Sequence, residues 1–254
     1  MKKGKYGLDA PTVVIAYIAS GILFLFLGIT LSFKFYYASW LINLGVIFLL
    51  VGLYMIYGSK IGKYKMRAKI IERLGIKGNE TALDVGCGRG LMLNGVASQL
   101  NTGKAYGIDI WSTTDQSGNN YDAVIQNAKI EGTESKIQVV NSDMREMPFQ
   151  DGCFDIIVSS LAIHNLKNDE ERKKAILEIA RVAKQGCKLA ILDLAHIKYY
   201  SNILSSQGFN IEHIDKHQLQ IFPPVKVLYA IKSWTIKNAV LFKSSELYGI
   251  FISL

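Results

Sequence analysis

The stretch Leu83–Gly90, LDVGCGRG, ends an apolar run in an acid and then places glycines 86, 88 and 90 on alternate positions. Backbone without Cβ atoms lets a ligand come close to the chain and lets the chain adopt positive φ. Two phosphate-binding patterns use related loops, and the spacing excludes both. The dinucleotide fingerprint G-x-G-x-x-G needs a glycine where Leu91 stands, and no Lys-Ser/Thr pair follows to make a phosphate-cradling loop. Carboxylates recur downstream at Asp109 and Asp143, each of which taken alone reads as a turn cap at a strand end. The three cysteines, Cys87, Cys153 and Cys187, are scattered and lack C-x-x-C spacing, so neither a disulfide framework nor a metal site is expected.

The elements that must position these residues follow from hydrophobic periodicity. Short apolar runs at 81–86, 104–109, 136–141, 154–160 and 188–193 alternate with amphipathic stretches at 90–100, 121–131, 169–184 and 198–207. Buried strands joined by helices predict an α/β fold with a doubly wound, mostly parallel sheet. Gly208 stops the last helix, and two further strand-like stretches flank "IFPP" as a closing antiparallel hairpin, which makes seven strands.

With the elements in place, "LDVGCGRG" resembles motif I of the class I S-adenosylmethionine-dependent methyltransferases, whose cofactor carries no phosphate. The resemblance continues in order through "YGIDIW", "NSDMREMPF", "FDIIVSSLAIHNL" and "EIARVAKQGCKLAILD", and covers about 75–232. It implies the seven-stranded Rossmann-like methyltransferase fold, with S-adenosylmethionine as cofactor. It also implies a site. Gly86, Cys87, Gly88 and Gly90 would face the cofactor's amino-acid portion, and Asp84 would support the loop and reach the ammonium group through water. Asp109, with Ile110 after it, would accept from the ribose hydroxyls. Asp143 would accept from the adenine amino group beside the Met144 backbone, and Ser159 would lie at the mouth of the sheet.

Methyl transfer from a sulfonium is an in-line displacement, in which holding the reactants collinear can supply about 7–11 kcal/mol. A base is needed only where the nucleophile carries a proton. His164, five residues past Ser159, is the candidate base, with shaping of the pocket as its alternative role; His196 is second, and His213 and His217 read as surface residues. "SSLA" stands where amide- and adenine-methylating members have N-P-P-Y, no glutamate pair follows the fourth strand, and Asp193 alone makes no magnesium site. The classes left are small-molecule or lipid acceptors.

The first seventy residues have another character. Residues 12–33 and 35–59 are free of charge, and each run is long enough to cross a bilayer core of roughly 30 Å. Spans of about 12–33 and 37–57 form a transmembrane hairpin within residues 1–59, broken only at Lys34 and "FYYASW". A secretory signal fits less well, because a second span follows directly and no cleavage site intervenes. Glycines 21, 28, 45 and 52 recur at seven-residue spacing within each span and would let the helices approach closely. The lysine bias predicts both ends, and the catalytic domain, on the cytoplasmic side.

The net charge of +8 is concentrated near the hairpin: residues 1–11 carry +2, Lys34 adds +1, and a basic juxtamembrane segment, 60–74, carries +5. Residues 75–254 are neutral, with 19 basic and 19 acidic side chains, which excludes a basic nucleic-acid groove. The segment 60–74 joins hairpin to domain without a flexible linker, and its cations favour anionic lipid. The extension 233–254 ends strongly apolar and is expected to pack on the domain, with lying against the membrane as the alternative. The whole reads as a membrane-anchored methyltransferase of a lipophilic acceptor, a quinone or a prenyl or acyl lipid. The alternatives are a tethered methyltransferase of a soluble small molecule and a non-catalytic cofactor-binding membrane protein. Nothing in the sequence specifies an oligomeric state.

Overall fold

The computed structural model describes residues 3–111 and 120–233, apart from the side chain of His217; the extension expected at 233–254 lies, from 234 on, outside the described residues. Two apolar helices come first, α1 (Pro11–Ser32) and α2 (Trp40–Tyr57), joined by a single tight turn over Tyr36–Ser39. Their crossing is set by glycine. A Cβ on Gly45 would come within 2.9 Å of the Gly21 carbonyl oxygen and 2.8 Å of the Leu25 nitrogen, and one on Gly28 within 2.7 Å of the Ile42 nitrogen. Backbone meets backbone there, as in small-residue helix pairs in membranes.

After α2 the chain does not loop out. A π-type turn, Gly58–Gly62, leads straight into α3 (Lys63–Leu74). This is the segment expected as a basic connector outside the domain, and the structure corrects that boundary. Met66, Ile70 and Leu74, at i, i+4 and i+8, are buried in the domain core while Lys65, Lys69 and Arg73 face outward. The α/β domain therefore begins at α3.

The sheet is built from β1 (Thr81–Val85), β2 (Lys104–Asp109), β3 (Ile137–Asn141), β4 (Phe154–Ser160), β5 (Ala183–Asp193), β6 (Phe209–Gln218) and β7 (Val225–Lys232), in the order 3-2-1-4-5-7-6. All neighbours are parallel except β7, which runs antiparallel to both β5 and β6. Between the strands lie α4 (Leu91–Ala97), α5 (Tyr121–Glu131), α6 (Asp169–Val182) and α7 (Ile197–Ser206). Local chemistry sets their ends. The Asn120 side chain accepts from Ala123 N at 2.8 Å and the Asn168 side chain from Glu171 N at 2.9 Å, each satisfying an otherwise orphaned helix donor. One core lies under α3, α4 and α5 and the other under α6 and α7, so both faces of the sheet are covered.

The largest local departure from expectation is β5, which starts at Ala183 rather than 188. Ala183 pairs with Phe154 across an irregularity in the β4–β5 register, so α6 stops at Val182 and the chain enters the sheet at once. The strand order reverses between β1 and β4. In open α/β sheets the crevice at the carboxyl ends of such strands is where ligands bind.

Candidate active site

The loop after β1 is tied to β2 by its own backbone. Gly86 N and Cys87 N both donate to the Ile108 carbonyl oxygen at 2.9 Å. Gly88 N donates to Asp109 Oδ2 at 2.8 Å and Trp111 N to Asp109 Oδ1 at 2.6 Å. Gly86 has φ +72°, and a Cβ there would meet the Ala162 Cβ at 2.3 Å, so only glycine lets the loop pass beneath the segment after β4.

A cavity of about 540 Å³ opens between this loop, the end of β2, the segments after β3 and β4, and the hairpin end of the molecule. Most of the expected residues meet there: Asp84, Gly86, Cys87 and Gly88 on the loop side, Asp109 and Ile110 after β2, Met144 and His164 beyond. Two expected residues do not line it. Ser159 is buried and its hydroxyl donates to the Val85 carbonyl oxygen at 2.9 Å, joining β4 to β1; strand alternation gives the cavity to Ser160 instead. Gly90 sits just before α4 at φ +83°, where a Cβ would meet Asn94 Nδ2 and Val124 Cγ1 at 3.0 Å each. Its glycine serves helix packing rather than ligand approach.

Asp143 lines the cavity, but its oxygens turn to Arg145: Nε lies 3.0 Å from each, and Nη2 2.5 Å from Oδ2. The guanidinium's hydrogen bonds hold this carboxyl below its ordinary range. An adenine amino group would have to share the carboxylate with Arg145. His196 stands away from the cavity, at the start of α7 with φ +61°, and His213 is exposed and paired with Asp215 at 2.8 Å.

Asp84 is the buried acid of the site. Its Oδ2 accepts from Leu93 N at 2.8 Å, while Oδ1 is buried with no hydrogen-bond partner among the described residues. Burial, opposed by the Leu93 N–H and assisted by the Asp109 charge, pushes its carboxyl up to about 7. Such an acid stays protonated in the fold while it ionises in the unfolded chain. The stability it contributes is complete below the unfolded value near 4 and is lost as the pH rises to about 7. Denaturation in detergent should show Asp84→Asn gaining on the native chain by roughly 3–4 kcal/mol between pH 4 and pH 8, the linkage of about three pH units. A difference that stays flat with pH would contradict the assignment.

Sequence reasoning missed three features. Asp193, at the end of β5, accepts from His164 Nδ1 at 2.5 Å and from His164 N at 3.1 Å, and is itself fully buried. A carboxylate on Nδ1 selects the tautomer that leaves Nε2 able to take a proton. The second feature is the segment from Lys3 to Ala10, which crosses the domain as a strap. Gly4 N donates to Glu131 Oε1 at 2.9 Å, Lys5 N to Asn127 Oδ1 at 2.6 Å, and Asn94 Nδ2 to the buried Tyr6 hydroxyl at 3.2 Å. The third is the buried Lys63 ammonium, which donates to the Tyr6 and Gly7 carbonyl oxygens and to Asp9 Oδ1 at 2.9–3.0 Å and so clasps the strap to the end of the hairpin. Burial pulls the Lys63 pKa down, and the Asp9 charge opposes it. Tyr6, Asp9, Ala10, Lys63, Met66 and Arg67 form the cavity wall on the hairpin side.

The residues present fit a group with one cationic end and one flat apolar end. Bare backbone at 86–88 and the unpartnered Asp84 oxygen suit the first, and Ile110, half-exposed, with Met144 suits the second. Among the described residues no cluster suited to a metal ion occurs.

Comparison with known proteins agrees with this geometry. The methyltransferase-domain family model matches residues 83–191. A sterol 4-C-methyltransferase of Caenorhabditis elegans is 28% identical over 150 residues, 59% of this chain and 42% of that protein. A 2-phytyl-1,4-naphtoquinone methyltransferase of Trichormus variabilis is 30% identical over 124 residues, 48% of this chain and 50% of that protein. The chain thus spans half or less of the length of these relatives. A SAM-dependent methyltransferase from Aquifex aeolicus shares the fold at a TM-score of 0.53 and 22% identity, over 65% of this chain and 89% of that one. Taken with the strand order and the glycine loop, the match shows residues 83–191 to be a methyltransferase domain, on the fold shared with solved S-adenosylmethionine-dependent methyltransferases.

Proposed function

We propose that this protein is a membrane-anchored methyltransferase that uses S-adenosylmethionine to methylate a lipophilic acceptor, such as a quinone or a prenyl or acyl lipid. The observation that carries the proposal is the continuity of the cavity. One wall is the glycine loop and the other is made of residues at the ends of the two apolar helices: Asp9 and Ala10 directly precede α1, and Lys63 follows α2 by six residues. In each helical segment only 17% of the most apolar window is buried, so these surfaces suit hydrocarbon rather than a protein core. The Lys63–Asp9 pair, at 3.0 Å, keeps both ends of the hairpin on the side of the domain, and with the lysine bias this supports a domain facing the cytoplasm. Relatives named for a sterol and a phytylated naphthoquinone lend support to a lipid acceptor.

The cofactor, when bound, supplies an electrophilic methyl group on a sulfonium. The chain's own residues do the rest. Asp84, Gly86, Cys87 and Gly88 would hold the amino-acid end, with Asp109 and Ile110 at the ribose and Met144 and Asp143 at the base. His164, oriented by Asp193, would take the proton from a hydroxyl or an acidic carbon acceptor. Enclosure by the strap and the segment after β4 would keep water from the reacting atoms.

Membranes carrying the native chain, incubated with methyl-labelled cofactor, should yield label in the organic-soluble lipid fraction, and membranes carrying Asp109→Ala should not. Label confined to water-soluble metabolites or to protein would reject the lipid clause. Tight cofactor binding without any demethylated product would reject the enzyme itself.

A further inference from the structure

The turn joining β6 to β7, residues 219–224, lies at the hairpin end of the molecule. It packs on the last turn of α2 and on the π-type turn that follows. The Tyr54 hydroxyl donates to the Leu219 carbonyl oxygen, and the Tyr54 and Phe222 rings stand 5.6 Å apart. Gly62 must be glycine, since a Cβ there would fall 1.6 Å from the Gln220 carbonyl oxygen; at Gly58 it would come within 3.3 Å of the Ile221 Cα. Within this turn Ile221 is buried and lines the cavity, but Leu219 is 63% exposed. On the adjoining helix end Ile61 is 46% and Tyr57 38% exposed. Exposed lysines accompany them: Lys60, Lys65, whose ammonium stands 5.8 Å above the Tyr57 ring, and Lys69, which reaches Gln218 at 3.0 Å.

Tyr54 precedes the end of α2 by three residues, about 4.5 Å of helix. A turn whose backbone is bonded to that side chain therefore sits within a tyrosine's length of the last turn of the second apolar helix. Tyr54, Tyr57 and Phe222 make a small aromatic belt of the kind found at the headgroup level, and the lysines around it have the sign that anionic headgroups attract.

We propose that the β6–β7 turn is a third membrane contact: Leu219, with Ile61, enters the boundary between headgroups and acyl chains, and Lys60 and Lys65 pair with anionic lipid. The contact is continuous with the helical hairpin, and the inference rests on the reading of α1 and α2 as spans. It is separate from the methyl transfer reaction. The domain is seated on the bilayer by its own sheet as well as by its anchor.

The test uses the full chain with Cys153→Ser, which leaves only the buried Cys87 and Cys187, reconstituted in vesicles of phosphatidylcholine with one-third phosphatidylglycerol. Nitroxide labels go on Leu219→Cys, on Leu50→Cys in the middle of α2, and on Lys174→Cys on α6. Collision with oxygen relative to a water-soluble nickel chelate is then measured. The Leu219 label should favour oxygen at least threefold more than the Lys174 label and less than the Leu50 label. In vesicles of phosphatidylcholine alone that preference should fall by half or more. A Leu219 label as water-exposed as that at Lys174, beside a hydrocarbon-like Leu50 label, overturns the inference while leaving the spans intact. A water-like Leu50 label overturns both, and a Leu219 value indifferent to lipid charge overturns the anionic clause.

Discussion

Replacing Gly86 by alanine should weaken S-adenosylmethionine binding about a hundredfold or more, measured by calorimetry on the intact chain. Two costs combine. At φ +72° an L-residue is strained by roughly 1–2 kcal/mol. The new methyl would also start 2.3 Å from the Ala162 Cβ, which has no flexible side chain to yield, and forcing extra volume into a packed site typically costs about 1–3 kcal/mol. The protein can escape both by moving the loop out of the shape that receives the cofactor, so the cost is felt in binding, at about 1.4 kcal/mol per tenfold. Adding Ala162→Gly should recover roughly a tenfold share, because it relieves the contact and leaves the backbone strain. A Gly86→Ala chain that binds within threefold of the native one would mean the loop does not cradle the cofactor.

The second large effect concerns His164. Its replacement by alanine should lower methyl transfer by about 10²–10⁴-fold at saturating cofactor, with cofactor affinity unchanged. Asp193→Asn should give at least a tenfold part of that loss although the ring stays. Asp193 receives His164 Nδ1, His164 N and Leu194 N, with the Tyr200 hydroxyl at 3.4 Å, so every nearby group is a donor. An asparagine has a single acceptor oxygen and would offer an N–H to one of them. Turned toward Nδ1, that N–H demands the opposite tautomer and removes the base. The measurements are kcat and cofactor Kd on the two variants and Asp193→Glu. Activity of His164→Ala within threefold of the native chain would reduce the histidine to a wall of the pocket.

What the sequence made legible was local. Alternating apolar runs placed β2 and β4, and the 121–131 helix lies where periodicity put it, between an Asn cap and Gly132. The glycine spacing excluded the phosphate loops because those patterns are fixed by adjacent residues. What stayed hidden was made by tertiary contact. His164 and Asp193 are 29 positions apart, and Lys5 meets Asn127 across 122. No local pattern announces that Tyr6, Asp9 and Ala10 form part of a wall of the site. Ser159 was misassigned by one step of the strand pleat, which turns a side chain from the cavity to a neighbouring strand. The helix at 63–74 could have been found. Its Met66, Ile70 and Leu74 form an apolar stripe at helical spacing, but a run of cations around them masks it as a solvated connector.

The unbroken passage from α2 through the π-type turn into α3 has a consequence for which acceptors the protein can serve. Lys63 and Met66 on the cavity wall lie six and nine residues beyond Tyr57, about 9 and 13 Å along a helix. If α1 and α2 span the bilayer as proposed, the absence of a hinge in that stretch would make the height of the reaction above the hydrocarbon a fixed standoff, like a stylus on a rigid arm. In the proposed placement the protein gauges its acceptors by how far their reactive ring rises from the tail that holds them. A homologous series that differs only in that spacing should be methylated within a narrow band of lengths.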